Sequence, residues 1–141
     1  MLFLYNQNPT EGQMNGVQVS IGEDFSNPLS FELNSATADE QIAKCAIRCQ
    51  EGFKVDGQAR ISLEVADTED TLSEEEERAL CAKFAFGLSE ESFSGFGEAL
   101  TVNAVEDTNV LVYVKRKVEQ GELPSVENRV RIVVEGTIAQ K

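Results

Sequence analysis

The sequence predicts an all-β protein that folds as a single β-sandwich. Hydrophobic and polar residues alternate in short runs along most of the 141-residue chain, and turn-forming residues separate these runs. The length is typical of one domain, and the 41% of hydrophobic residues is enough to form its core. Together these observations predict a sandwich of the Ig-like or jelly-roll-like kind, with at most one or two short helices.

Six segments have the pattern of strands. In five of them the hydrophobic residues occupy every second position, as in a strand with one buried face. The sixth, Val110–Val114, is apolar on both faces, which is typical of a central strand. The five alternating segments are Leu29–Leu33, Ile61–Val65, Ala82–Phe86, Leu100–Ala104 and Val130–Val134.

Turn residues lie between these segments. Asp56-Gly57 lies between Val55 and the Ile61 strand, and this dipeptide is preferred in hairpins. Phe93–Gly97 precedes the Leu100 strand, and its two phenylalanines are expected to anchor the turn or the core. Gly121–Pro124 separates the last two strands. No repeat or composition break indicates a second domain.

Two segments also match helical patterns. Residues 38–51 overlap a capping box that begins at Thr37, and they fit both a helix and a strand. As a strand they put Cys45 on one face and Lys44 and Arg48 on the other, and we favour the strand because the rest of the chain is β. Ser73–Glu76 is a second capping box, which predicts a helical turn from Glu74 to about Ala79.

The first residues predict an extended arm. Residues 1–16 contain Phe3 and Tyr5 and little periodicity, whereas residues 17–141 carry the sandwich pattern. The arm either packs along the sandwich or adds to a sheet edge of another subunit.

Composition excludes several kinds of function. The chain has no histidine, which removes Ser-His and Cys-His nucleophile pairs and histidine-ligated metals. Its formal charge of −13 argues against binding to nucleic acid or to an anionic membrane. No signal peptide or membrane-spanning segment is predicted. We expect no enzymatic activity and no cofactor.

Two features leave alternatives open. Residues 67–77 are mostly acidic, which suits either a solvated loop or a Ca²⁺ site, although the spacing differs from an EF-hand. A carbohydrate- or Ca²⁺-binding module is therefore the alternative function. Cys45, Cys49 and Cys81 are expected to be reduced core thiols, with a disulfide between chains as the alternative.

The charge is distributed unevenly along the chain. Residues 1–109 carry 6 basic and 21 acidic groups, whereas residues 110–141 carry 6 basic and 4 acidic groups. If the Val110 and Val130 strands pair, one sheet face becomes basic, and such a polarised surface suits docking on a partner. The candidate interface residues are Phe3, Tyr5, Lys115, Arg116, Arg129 and Arg131.

Four short motifs carry a resemblance to a known group of proteins. They are Tyr5–Thr10, Ala46–Phe53, Asp107–Asn109 before the Val110 strand, and Glu122–Pro124 before the last strand. With these motifs the chain resembles small β-sandwich proteins encoded by tailed bacteriophages and prophages. The resemblance implies a multi-copy, non-enzymatic virion component, such as a capsid decoration protein or a tail or neck part.

The expected partners and location of the chain follow from this resemblance and from its composition. The chain is expected to bind itself or other virion proteins, to form an oligomer or a multi-copy assembly, and to bind neither nucleic acid nor membrane. It is expected to be made in the host cytoplasm and to reside in the virion, or otherwise to be cytoplasmic.

Overall fold

The computed structural model describes residues 2–19, 39–65, 71–118 and 130–141. Within these ranges the chain forms strands connected by turns, with one helix between the fifth and sixth strands. In chain order the elements are β1 (Leu2–Asn6), β2 (Val17–Gln18), β3 (Asp39–Cys49), β4 (Phe53–Val55), β5 (Gln58–Val65), α1 (Glu74–Cys81), β6 (Phe84–Ser89), β7 (Ser92–Phe93), β8 (Leu100–Asn103), β9 (Val110–Val118), β10 (Val130–Glu135) and β11 (Ile138–Gln140).

The described strands form three sheets that pack against each other. The large sheet has the order β2-β1-β3-β9-β6-β7, and the smaller ones have the orders β10-β5-β8 and β11-β4. Every pairing is antiparallel. The predicted all-β sandwich is therefore confirmed, and β9 lies inside the large sheet, as its apolar sequence predicts.

The core lies between the large sheet and the smaller sheets. β3 and β9 pair over nine consecutive residues, which puts every second side chain of both strands on the same side of the sheet. Cys45, Ile47, Val112 and Val114 point to that side and are fully buried. The opposing sheets contribute Ile61 and Val102 among others, and this contact between apolar faces is the main stabilising interaction of the fold.

Most of the segment 38–51 is a strand, as favoured from the sequence, because β3 covers Asp39–Cys49. β3 lies between β1 and β9, so both of its edges are hydrogen-bonded along its second half. A helix over the same residues would satisfy its own backbone but would leave β1 and β9 without a partner between them. The tertiary context therefore decides between two local patterns that fit equally well.

The N-terminal arm packs along the sandwich of its own chain. β1 pairs with β3 on one side and with β2 on the other, and Leu4 joins the buried core. This is the first of the two alternatives left open by the sequence. The division of the chain at residue 16 stays a prediction.

Asp56-Gly57 separates two strands, as expected, but these strands do not pair with each other as in a hairpin. Gly57 does adopt the left-handed backbone that favours glycine, with φ of +89°. However, β4 pairs with β11, whereas β5 pairs with β10 and β8. The dipeptide therefore connects strands of two different sheets.

The predicted helix is confirmed and has the expected start. Ser73 Oγ accepts a hydrogen bond from the Glu76 backbone N–H at 3.2 Å, and the Glu76 carboxylate accepts one from the Ser73 N–H at 3.3 Å. Four glutamates occupy the first turn, where the helix dipole favours negative charge. None of the helix residues is buried, so α1 is an acidic surface element.

Several sequence predictions lie outside the described residues. They are the Leu29–Leu33 strand, the Gly121–Pro124 turn and Arg129. The predicted strand Leu100–Ala104 is one residue shorter in the structure. Ala104 is exposed and has a φ of +55°, which ends β8 at Asn103.

Lys141 is fixed to the loop before β9. Its ammonium donates to Asp107 Oδ1 at 2.9 Å, and the Gly52 N–H donates to Asp107 Oδ2 at 2.9 Å. The Lys141 hydrogen bond, followed by that of Gly52, holds the pKa of Asp107 below its usual value. The same contact raises the pKa of Lys141.

We predict that Ile47→Ala lowers the free energy of unfolding by about 2–5 kcal/mol, because it leaves a cavity in the core. Ile42→Ala on the same strand should change it by less than about 0.5 kcal/mol, because Ile42 is on the opposite face and 40% exposed. Guanidinium unfolding at low protein concentration measures both. Equal losses would contradict the assignment of the two faces of β3.

We predict that Asp107→Asn lowers the melting temperature at pH 7 and that the difference from the native chain closes as the pH falls below 3.8, the usual pKa of an aspartate. A carboxylate whose pKa is depressed by folding stabilises the fold above its unfolded pKa, and this contribution is lost as the pH falls through the folded pKa. Thermal unfolding across this range tests it, with Asp56→Asn, a turn residue, as the charge-matched control. A constant difference down to pH 2 would contradict the ionic origin.

Candidate functional site: the outer face of the large sheet

The large sheet has a second face that points away from the core. The strand registers place alternate side chains of β1, β3, β6, β7 and β9 on it. We call this surface the outer face. Its members are Phe3, Tyr5, Glu40, Ile42, Lys44, Ala46, Arg48, Ala85, Gly87, Phe93, Leu111, Tyr113, Lys115 and Lys117.

The charge of the outer face is opposite to that of the whole chain. Among these positions four are basic, namely Lys44, Arg48, Lys115 and Lys117, and one, Glu40, is acidic. The whole chain carries −13. A basic surface on an acidic protein creates a local field that attracts anionic groups and orients an approaching partner.

Two lysines of β9 lie over phenylalanine rings at one end of this face. Lys115 Nζ is 4.1 Å from the Phe93 ring centroid, and Lys117 Nζ is 4.3 Å from the Phe96 ring centroid. Each ammonium–ring contact contributes about 0.5–1 kcal/mol to holding the lysine over the ring. We call these four residues the lysine–phenylalanine patch.

The patch also contains an ion pair and exposed apolar area. Lys115 Nζ lies 3.8 Å from Glu40 Oε2, and only 20% of the Lys115 side chain is exposed. Ile42, which is directly opposite Lys115 in the register, is 40% exposed, and Phe96 is 37% exposed. Phe96 lies in a turn as expected, but its ring remains at the surface. Apolar groups beside oriented charges are characteristic of protein interfaces.

The structure brings three of the six predicted interface residues together. Phe3, Tyr5 and Lys115 share the outer face. Arg116 lies on the other side of β9, where its guanidinium is 5.2 Å from the Phe84 ring centroid. Arg131 is exposed on β10 opposite Glu64, and Arg129 is outside the described residues.

The Val110 and Val130 strands do not pair, so the basic face that depended on their pairing does not form in that way. β9 pairs with β3 and β6 in the large sheet, and β10 pairs with β5 in another sheet. The basic surface arises instead because β3 supplies Lys44 and Arg48 next to Lys115 and Lys117 of β9. Long-range pairing of β3 with β9 creates this surface, and no local signal reports that pairing.

Arg48 is buried on the outer face and holds the N-terminal loop of residues 7–16. Its Nη1 donates to the Asn15 carbonyl oxygen at 2.7 Å and to Asn109 Oδ1 at 2.6 Å. Its guanidinium stacks on the Tyr5 ring, 3.5 Å from the centroid. Within the described residues no carboxylate forms a salt bridge with Arg48, so amide and carbonyl oxygens solvate its charge.

Asn109 holds the same loop together with Arg48, and we call these two residues the clasp. It is 1% exposed, and its Nδ2 donates to the Thr10 carbonyl oxygen and to Asn15 Oδ1, both at 2.9 Å. Its backbone N–H donates to the Gln13 carbonyl oxygen at 2.7 Å. The buried amide of Asn109 is thus hydrogen-bonded to several polar groups of the loop. A buried polar side chain needs such partners, because burial without them is unfavourable.

Two further features fit the loop to the sheet. Glu11 Oε2 accepts a hydrogen bond from the Leu111 backbone N–H at 3.0 Å, so a side chain satisfies this strand donor. Gly16 has a φ of +101°, and a Cβ there would lie 3.0 Å from the Asn6 carbonyl oxygen, which requires glycine. The loop therefore covers the Arg48 half of the outer face and leaves the lysine–phenylalanine patch at the other half.

Sequence reasoning missed the clasp. The alternation put Arg48 on the polar side of its strand, which is correct, but polar alternation ordinarily indicates solvent exposure. In the sequence, Asn109 stands out only as the last residue of one of the four short motifs. Neither residue has a local sequence signal of burial, because the loop that covers them is far away in the chain.

The three cysteines are free thiols in the structure. Burial raises the pKa of Cys45 to about 12. Burial also raises the pKa of Cys49 and of Cys81, and the carboxylate of Glu77 adds to the effect at Cys81. These thiols are therefore protonated at neutral pH, which disfavours nucleophilic chemistry at each of them.

Other kinds of site were sought in the described ranges. There, no group of three or more Cys, Asp or Glu side chains is arranged to hold a metal ion. No helix in the same ranges is long and apolar enough to cross a membrane. An open cleft of about 570 Å³ lies beside β10 and β11, where Arg60 and Glu135 form an exposed ion pair of 3.8 Å. No aromatic side chain of the described residues lines it.

Comparison with known proteins gives no relative. No protein-family model, curated protein or solved structure matches the chain. The geometry of the chain itself is therefore the basis for its functional interpretation.

We predict that Asn109→Ala lowers the free energy of unfolding by about 1–3 kcal/mol and releases the N-terminal loop, because Arg48 and the loop carbonyls lose their partner. Cleavage after Glu11 by a glutamate-specific protease, followed by mass spectrometry, should become faster. Asn103→Ala, at an exposed residue bonded to Gln58, is the control and should leave cleavage unchanged. Unaltered protection of Glu11 in Asn109→Ala would show that other contacts hold the loop.

Proposed function

We propose that this chain is a non-enzymatic structural or assembly protein that works by docking its outer face on other protein subunits. The observation that carries the proposal is a basic and aromatic sheet face on a chain of net charge −13. Complementary charge accelerates and orients association, and aromatic and aliphatic groups within the same surface supply contact area.

The setting of the proposal is a phage virion, in which the chain is a multi-copy capsid decoration, tail or neck component. The four short motifs of the sequence resemblance support this setting. A rigid sandwich is a suitable building block, because its docking residues lie on strands whose positions are fixed by the core. The clasp of Arg48 and Asn109 supports it further, since it fixes the loop beside the docking surface.

The absence of histidine from the sequence and the raised pKa of each cysteine support a function without catalysis. The lysines of the lysine–phenylalanine patch are suited to recognition, because an ammonium held over a ring presents its charge in a fixed geometry. Pre-ordered side chains lose less conformational freedom on binding.

Two measurements test this proposal together. Size-exclusion chromatography with light scattering determines whether the purified protein forms oligomers, and mass spectrometry of particles released from cells that encode the chain determines whether it is a particle component. We expect the protein in stoichiometric amounts in such particles or in an oligomer. A strict monomer that is absent from every particle would overturn the proposal.

A further inference from the structure

We infer that the lysine–phenylalanine patch of one copy binds the acidic surface around α1 of a second copy. This inference rests on the proposed docking function and names the partner of that same surface. The patch consists of Phe93, Phe96, Lys115 and Lys117, with Ile42 beside it. It is the part of the outer face that the N-terminal loop leaves uncovered.

The patch has the chemistry of an interface and not only of a solvated surface. Ile42 and Phe96 are 40% and 37% exposed and lie beside the two lysines of the patch, so apolar area and charge occur together there. Phe93 is half-buried under the Lys115 ammonium. A partner that covers the patch would bury these apolar groups and would meet two oriented cations at its rim.

The chain itself supplies a complementary surface. α1 begins with four consecutive glutamates and has Arg78 as its basic residue. Glu74 and Glu75 are exposed, and none of the helix side chains is needed in the core. Since the chain has 25 acidic against 12 basic groups, a second copy approaching the patch is attracted through most of its surface and most strongly through this helix.

Charge disfavours a contact between two identical patches. If two copies met patch to patch, Lys115 and Lys117 would face their own equivalents, and such like-charge contacts are unfavourable. A contact between the patch of one copy and α1 of a second copy avoids this. The contact is either made twice, which closes a two-fold dimer, or made once, in which case association continues into a chain or closes into a ring.

Neutral variants test this arrangement. Lys115→Gln/Lys117→Gln removes the patch charges and keeps α1, whereas Glu74→Gln/Glu75→Gln keeps the patch and neutralises the helix. Each should weaken self-association at least about tenfold in sedimentation experiments at low salt. Mixed together, they retain one intact contact and should form a heterodimer of twice 15.5 kDa, about 31 kDa, that does not grow further.

Matched controls remove the same charges elsewhere. Lys54→Gln/Arg60→Gln is the control for the patch, and Glu51→Gln/Asp56→Asn is the control for the helix; both should associate like the native chain. Circular dichroism and melting temperature verify the fold of each variant. If the lysine double variant does not fold, Phe96→Ser replaces it, because its ring lies in an exposed turn.

Salt provides an independent measurement on the native chain. Raising ionic strength from about 0.01 M to about 1 M shortens the screening length from about 30 Å to about 3 Å, and native association should weaken accordingly. Salt-independent oligomers, or oligomers unaffected by both double variants, would overturn the inference. Heterodimers absent from the mixture would do so as well.

The inference and the proposed function can fail separately. A native chain that is monomeric at every concentration and salt, but that occurs in purified particles bound to another protein, overturns self-docking and leaves the assembly function intact. A monomer that is absent from particles overturns both.

Discussion

The pairing of β3 with β9 is the constraint on which the rest of the structure depends. Over nine consecutive pairs it directs Cys45, Ile47, Val112 and Val114 into the core. The same pairs direct the intervening residues, including Lys44 and Lys115, to the outer face. Because side chains alternate with a period of two, a slip of one residue would exchange the two faces. The hydrophobic core therefore fixes the geometry of the docking surface, and burial of its apolar groups is what prevents the slip.

The buried guanidinium of Arg48 shows how polar groups complete this arrangement. An arginine in a low-dielectric position is unfavourable unless oxygen acceptors surround it and a π face lies beneath it. Asn109, Asn15 and Tyr5 provide these contacts. Since these contacts come from β1, the N-terminal loop and the residue before β9, the N-terminal segment is bound to the sheet by one polar network as well as by strand pairing. Such networks are strong only when every member is satisfied, and no buried side-chain polar atom of the described residues lacks a partner.

Local chemistry explains which parts of the fold could be predicted from the sequence. The start of α1 was predictable because Ser73 and Glu76 satisfy each other's backbone groups within a single turn. The buried faces of the Ile61 and Leu100 strands were predictable from alternation alone. In contrast, the partners of a strand depend on residues far apart in the chain. No local pattern shows that the Val110 and Val130 strands lie in different sheets, or that the strands on either side of Asp56 do not pair.

The candidate site was partly predictable for the same reason. Alternation correctly put Lys44 and Arg48 on the opposite side of their strand from Cys45, and the charge imbalance pointed to a basic region near Lys115. What could not be predicted was which strands contribute to one surface. Arg116 follows Lys115 directly and is therefore on the other side of the sheet, whereas Phe93 is distant in sequence and lies in contact with Lys115. Adjacency in a strand separates side chains, and pairing brings distant ones together.

The edges of the large sheet support docking through its face. In the described chain its terminal strands are β2 and β7, and each has two residues. Such short edges offer few backbone donors and acceptors to an added strand, which is a common protection against edge-to-edge association. A face-on contact depends on side chains instead, so its strength depends on the charges and rings that the strands present. In this chain those groups are the lysines and phenylalanines at the open end of the outer face. A subunit built this way would associate by complementary side-chain surfaces and would respond to ionic strength, because its contact is made of opposite charges around a small apolar centre.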